Sequence, residues 1–412
     1  MEHTSKFSKL TSSKAFMIFI SFFGLYLLST GSSWAVFSYL NGDPEVIYNS
    51  GDLGDTRSKI DLSKPKTAEC PVNGKMYTEA EKSIWETRRP IAAVIENHED
   101  SRPVEGLHRA DIVYEAVAEG GVTRHLAIYY CGASAEDVRV APIRSARVHF
   151  VNWAAEYGDY PIFVHVGGAN NICGNCPGGV KYKGQVDPRV RAIEMLVDLD
   201  WRKARGNDFD TTYDTGFPVL FRDPERLGKP IATEHTMVST TDAIFDQAKD
   251  RGFSFKDDEG NEWSDNYEAW SFVDESPLAS PKASDISFEF WADYKQYGVS
   301  WTYDKASNSY KRINGGIEVK DLSSGEQVTA KNVVIQYVEE LGPVDTEKHM
   351  FYKTVGTGEA IVFQNGDAIK ATWEKESTRG RTKFYNEDGK EISFVRGEIW
   401  IEGIPSTNDV EY

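Results

Sequence analysis

The chain is 412 residues long, 40% hydrophobic and 12% aromatic, which is enough apolar material for two ordinary domains and is not the make-up of a disordered chain. Asp and Glu outnumber Lys and Arg by 64 to 46, a formal charge of −18. Long-range repulsion therefore argues against nucleic acid and anionic membrane surfaces as partners, although a local group of arginines can still hold one small anion.

Residues 1–14 carry Lys6, Lys9 and Lys14, and residues 15–40 are free of charge until Asp43 and Glu45. About 20 apolar residues cross a bilayer, and the lysine-bearing side stays in the cytoplasm. The pattern predicts a cytoplasmic tail over 1–14, a single transmembrane signal anchor over 15–40, and a polar linker over 41–67 that holds the rest outside the cell membrane. A cleaved signal peptide is the rival reading, because Gly31-Ser32-Ser33-Trp34-Ala35 contains small residues, but it lacks a clear A-x-A site. No cysteine lies in or just after this segment to carry a lipid.

Residues 68–255 are predicted to form an α/β domain, a mixed and partly antiparallel sheet with covering helices. A short helix over 78–87 leads to the apolar run 91–95, which reads as a buried strand ending at Glu96-Asn97-His98. Three strands rich in Val, Ile and Tyr follow, over 111–118, 124–131 and 138–143. Glu119-Gly120-Gly121 joins the first two as a hairpin, since paired glycines supply the positive φ of a tight turn. A helix from Ser145 to Tyr157 places Val148, Val151 and Ala155 on one face. The strand over 161–166 runs into Gly167-Gly168, and helices over 188–199 and 240–251 open at Asp187-Pro188 and Ser239-Thr240.

Residues 256–284 are polar, with Ser276-Pro277 and Ser280-Pro281 as breakers, and predict a linker. Beyond it, 285–412 reads as a smaller β-rich domain of short alternating strands, with turns at Asn308-Ser309, Asn365-Gly366 and Asp388-Gly389. Its Trp291, Trp301, Trp373 and Trp400 read as core residues rather than sugar platforms.

Four cysteines, in a region expected to face an oxidising space, suggest the pairs Cys70 with Cys131 and Cys173 with Cys176. The second pair, a C-x-x-C in a glycine-rich loop, has three open readings: a loop disulfide, half a zinc site, or a redox pair. The histidines show no H-x-x-x-H or H-x-H spacing, so no metal and no cofactor is expected. Only His165, at the end of a buried strand, joins the candidate site.

That site gathers Asn97, Glu115, Arg124, Arg144, Ser145, Arg147, His165, Gly167 and Gly168 around a cleft at the sheet edge. Arginines there clamp a phosphate or carboxylate in bidentate fashion, and a helix start behind Ser145 assists. In the alternative reading, Arg124 and Arg147 pair with Glu115 and Glu119, tie strands together, and bind nothing. No G-x-S-x-G, P-loop, H-E-x-x-H or G-x-G-x-x-G after a strand is present, so the sequence names no reaction.

The runs Arg89-Pro90-Ile91-Ala92-Ala93-Val94-Ile95-Glu96-Asn97-His98, Ser101-Arg102-Pro103, Ala110-Asp111-Ile112-Val113-Tyr114-Glu115, Glu119-Gly120-Gly121-Val122-Thr123-Arg124 and Pro142-Ile143-Arg144-Ser145-Ala146-Arg147 carry a resemblance. So do Tyr310-Lys311-Arg312, Thr354-Val355-Gly356-Thr357-Gly358 and Ala371-Thr372-Trp373-Glu374-Lys375. Together they resemble the YerB family of bacterial extracytoplasmic, often lipid-anchored, proteins. The resemblance implies two extracytoplasmic domains and no assigned activity. Three functions stay open: a membrane-anchored envelope protein binding an anionic ligand, a glycan or a protein partner; an enzyme acting on phosphorylated cell-wall or lipid-linked precursors; and an assembly protein.

Overall fold

The computed structural model describes residues 60–171 and 186–412. The expected anchor over 15–40 and the Cys173/Cys176 loop lie outside these residues. Among the described residues no helix is long and apolar enough to cross a membrane.

The apolar runs of the first half become β1 (Ile91–Glu96), β2 (Ile112–Glu119), β3 (Val122–Tyr129), β4 (Ile162–His165) and the short β5 (Asp208–Asp210). β1 is buried along its whole length, which is why it reads as a continuous run rather than an alternation. Gly120 and Gly121, with φ of 55° and 82°, make the two-residue turn between β2 and β3. The second half contributes β6 (Asp285–Phe288), β7 (Val299–Asp304), β8 (Ser309–Asn314), β9 (Asn332–Leu341), β10 (Gly356–Gln364), β11 (Asp367–Lys375), β12 (Lys383–Asn386) and β13 (Ile399–Pro405).

β13 joins the two halves. It lies parallel to β9 on one side and parallel to β2 on the other, with Ile399 opposite Ile112 and Glu402 opposite Glu115. One mixed sheet therefore runs β12-β11-β10-β9-β13-β2-β3-β1-β4-β5, and Phe351–Lys353 on β9 is its eleventh strand. A second sheet, β6-β7-β8 with Ile317–Glu318 and Thr329–Ala330 paired to β8, stands apart from it. A single hydrophobic core holds Trp153 and Phe163 from the first half together with Trp301, Trp373, Trp400 and Ile401 from the second. Trp291 is partly buried against the same core.

Four α-helices are described: α1 (Glu79–Trp85), α2 (Val148–Ala154), α3 (Ala192–Asp198) and α4 (Thr241–Asp250). Thr78 and Glu81 form a reciprocal capping box at α1, and Thr240 caps α4 by accepting the Ala243 N–H. Asp187 caps the 3-10 turn Pro188–Val190 that precedes α3.

Three expectations need correction. The strand over 138–143 shrinks to Arg139–Val140, because its partner is Met237–Thr240 in a separate three-stranded sheet rather than β3. The helix expected from Ser145 starts at Val148, because Arg147 keeps extended φ and ψ as its N-cap. The segment 256–284 is packed: Phe272–Val273 pairs with Phe394–Val395, and Trp263 and Trp270 are buried. Cys70 and Cys131 form the expected disulfide, both fully buried, with Cα atoms 6.1 Å apart.

Candidate functional site

Side chains alternate across a strand, so register decides which predicted residues meet. Glu96 and Ala116 both stand opposite Arg124, whereas Ile95 and Glu115 stand opposite His125. Glu96 and Arg124 thus share one face of the sheet, and Glu115, Thr123 and His125 share the other. A bulge then changes the count. Val117 pairs with Thr123 but Glu119 pairs with Val122, so Ala118 is an extra residue and Glu119 turns to the Arg124 face.

On that face the predicted arginines do gather, around Glu119. Arg124 and Arg147 each bond one of its carboxylate oxygens, and their remaining groups donate to Ser145 O at 3.0 Å and Ala146 O at 2.8 Å. Burial pushes the Glu119 carboxyl up, but Arg124 and Arg147 outweigh it and hold the group at about 2. Burial lowers Arg124 to about 9 despite Glu119, with the charges of Arg147 and Arg144 adding to the effect. Arg124 and Arg147 are 2% and 5% exposed, so they tie elements together and offer little to a ligand. Arg144 is more open and stands 2.9 Å from Glu96 Oε1, while Glu96 Oε2 lies 2.7 Å from His235 Nδ1. Gly167 and Gly168 lie beside this group through the Ala146 N–H, which donates to Gly167 O, and an Ala146–Gly168 bridge. His165 does not reach it. Both of its ring nitrogens are engaged, by Gly167 O at 2.7 Å and Asp208 at 2.5 Å, and it is fully buried.

On the opposite face the chain builds a cavity of about 620 Å³. Its floor is a buried polar cluster. Glu115 accepts from Thr123 Oγ1 at 2.6 Å and from Asn97 Nδ2 at 3.0 Å, lies 3.3 Å from His125 Nε2, and is bonded by Arg312. Arg312 also donates to Glu402 Oε1 at 2.6 Å, and its guanidinium lies over the rings of Trp400 and Trp301, 4.3 and 5.1 Å from their centroids. For Glu402, burial is the largest influence, and with the Glu115 charge it raises the carboxyl against the pull of Arg312. For Glu115, burial is overcome by Arg312 and then by His125, so it stays ionised. The pair shares one cation, and the two carboxyls titrate as a unit. Burial lowers His125, which remains a neutral imidazole with Nδ1 unpartnered.

Asn97, Arg102, His125, Arg312 and Asn314 line the polar side of this cavity, with Ile317, Val319 and Lys320 along its rim. Arg102 fixes the wall by donating to Asn97 Oδ1 at 3.0 Å and to Gln296 O at 2.7 Å. No serine, threonine or cysteine is among the lining residues, and neither Glu115 nor Glu402 reaches the surface of the cavity. A concave site with a few convergent polar groups is suited to binding a small ligand.

Residues 76–254 match the profile "Protein of unknown function (DUF3048) N-terminal domain", and 286–401 match the corresponding C-terminal domain. The chain belongs to the DUF3048 family. It is 28% identical over 351 residues to YerB of Bacillus subtilis (strain 168), a protein that carries a lipoprotein name, covering 82% of this chain and 87% of YerB. The crystal structure of YerB from Bacillus subtilis matches with a TM-score of 0.62 at 25% identity, covering 84% of this chain and all of that one.

In this DUF3048 chain the cavity draws residues from both matched parts: Asn97, Arg102 and His125 from the first, Arg312, Asn314 and Ile317 from the second. Of the predicted residues, only Asn97 lines it and Glu115 supports it. Arg312 escaped sequence reasoning although a signal was present. In β8, Tyr310, Arg312 and Asn314 occupy the buried positions and Lys311 is exposed, so a charged residue sits on the inward side of an alternating strand.

Proposed function

We propose that this is a membrane-anchored extracytoplasmic protein of the cell envelope that binds a small ligand carrying an anionic group, a glycan acid or peptide carboxylate, in the cavity between its two matched parts. One observation carries the reading. A cavity of about 620 Å³ has buried Arg312 and neutral His125 in its floor, Arg102 and the Glu318-paired Lys320 as further cations against the carboxylates of Glu99 and Glu318, and Ile317 and Val319 for an apolar portion of the ligand. The Cys70–Cys131 disulfide supports an oxidising compartment, and YerB's lipoprotein name supports attachment to a membrane. The uncharged run 15–40, long enough to cross a bilayer, supports an anchor in that segment.

The test is a thermal-shift screen of the full chain in detergent against cell-wall fragments, uronic acids and acidic peptides. A ligand at a hundredfold excess over its Kd stabilises the protein by about 2.7 kcal/mol. The stabilisation should vanish in Arg102→Ala and weaken in Lys320→Ala. A ligand whose effect survives both substitutions binds elsewhere and sinks this reading.

A further inference from the structure

A second cluster of chemistry-bearing side chains lies away from the cavity floor, where His98 follows the end of β1. His98 and Asp100 come from the turn after that strand, and His235 comes from the 3-10 turn Thr233–His235, 137 residues later. One ligand atom from each lies within 4.8 Å of the others, and the two imidazoles stack with centroids 5.1 Å apart. Among the described residues the other group of this kind is Cys70, Asp111 and Cys131, whose thiols are spent on the disulfide.

The hydrogen bonds fix the orientation of the two rings. His235 Nδ1 sits 2.7 Å from Glu96 Oε2, so its proton is held there and Nε2 is left as the ligand atom. This is the carboxylate–histidine arrangement that orients metal-binding imidazoles. His98 Nδ1 accepts the Asp100 N–H at 3.2 Å, so the proton is on Nε2, and that hydrogen bond has to open before the Nδ1 lone pair can take a metal. That atom is 3.7 Å from Asp100 Oδ2. Zinc bonds to nitrogen or oxygen are about 2.0–2.2 Å long, so tetrahedral ligand atoms stand roughly 3.3 Å apart. The ligand atoms, within 4.8 Å of one another, therefore have to draw in by up to about 1.5 Å, and His98 and Asp100 are 32% and 74% exposed in their side chains.

Arg144, the nearby competing cation, is paired with Glu96. Two nitrogens and one carboxylate suit zinc better than the hard cations, which prefer all-oxygen sets.

We propose that His98, Asp100 and His235 form a zinc site, with Glu96 orienting His235. The site stands independently of the cavity.

The experiment is calorimetric titration of the untagged full chain, in detergent and stripped with EDTA, with Zn2+ alone. One Zn2+ per chain is expected. His98→Ala, a surface change that spares the fold, should weaken it at least tenfold, and Glu96→Gln by roughly 10–100-fold. A Cys173→Ser/Cys176→Ser variant should bind as the parent does. Absence of binding, binding unchanged by both His98→Ala and Asp100→Asn, or binding lost only in the cysteine variant would each overturn the proposal.

Discussion

Glu115 and Glu119 lie four residues apart on one strand and point to opposite faces of the sheet, because Ala118 is a bulged residue between them. Regular alternation would put both on the Glu115 side. The bulge instead gives each glutamate its own arginine partners: Glu119 takes Arg124 and Arg147, and Glu115 takes Arg312.

Glu119 makes stability depend on acid. Its folded value of about 2 lies below the ordinary 4.5, so its contribution is fully present above pH 4.5 and is lost as pH falls through 2. The lost component is on the order of 3 kcal/mol. Urea denaturation at pH 7, 4 and 2.5 should show it, and Glu119→Gln should be less stable at pH 7 with a flatter profile. An unchanged profile in the variant would mean that other carboxyls control the acid limb.

Replacing Arg312 by Met strands Glu115 and Glu402 in the core without their shared cation. Breaking a buried pair of this kind costs about 3–5 kcal/mol. Arg312→Lys should recover little, since one ammonium cannot bridge two carboxyls while lying flat between two indoles. Chemical denaturation midpoints check both. A lysine variant as stable as the parent would show that charge alone matters.

Gly403 lies at the seam between the two halves. A methyl group there would meet Trp153 Cη2 at 2.8 Å and Cζ2 at 3.1 Å. Gly403→Ala should therefore cost about 1–3 kcal/mol through displaced packing. Trimming the ring with Trp153→Phe should relieve part of it, giving a non-additive pair in a double-mutant cycle.

Reducing the Cys70–Cys131 bond frees a loop of 61 residues. On the chain-entropy account, closure of a loop that long is worth about 4 kcal/mol. Thermal unfolding with and without a strong reductant should differ accordingly, and a Cys70→Ala/Cys131→Ala protein should match the reduced form.

Elements governed by local chemistry were legible from the sequence. Gly120-Gly121 marked the hairpin, Asp187 and Thr240 marked the starts of their helical segments, and β1 announced its burial by an unbroken apolar run. The site was legible only as a list of residue types. Asn97 and Glu115 were grouped with Arg124, Arg144 and Arg147, yet the sheet separates them, because the strand register sets Glu115 opposite His125 rather than Arg124, and register leaves no mark on composition. The partnership of His98 with His235 and of Glu115 with Arg312 depends on segments far apart in sequence, to which spacing rules are blind. The parallel seating of β13 on β2 is hidden for the same reason.

That seating has a bearing on how the protein is made. Ribosomes deliver β2 (Ile112–Glu119) long before β13 (Ile399–Pro405), so in the interval one flank of β2 has unpaired backbone groups. An unfilled flank of this kind invites pairing with any passing strand. Products that stall or are cut short before Ile399 would carry the defect permanently, which makes them natural clients for quality-control proteases and sets arrival of β13 as the event that completes the sheet.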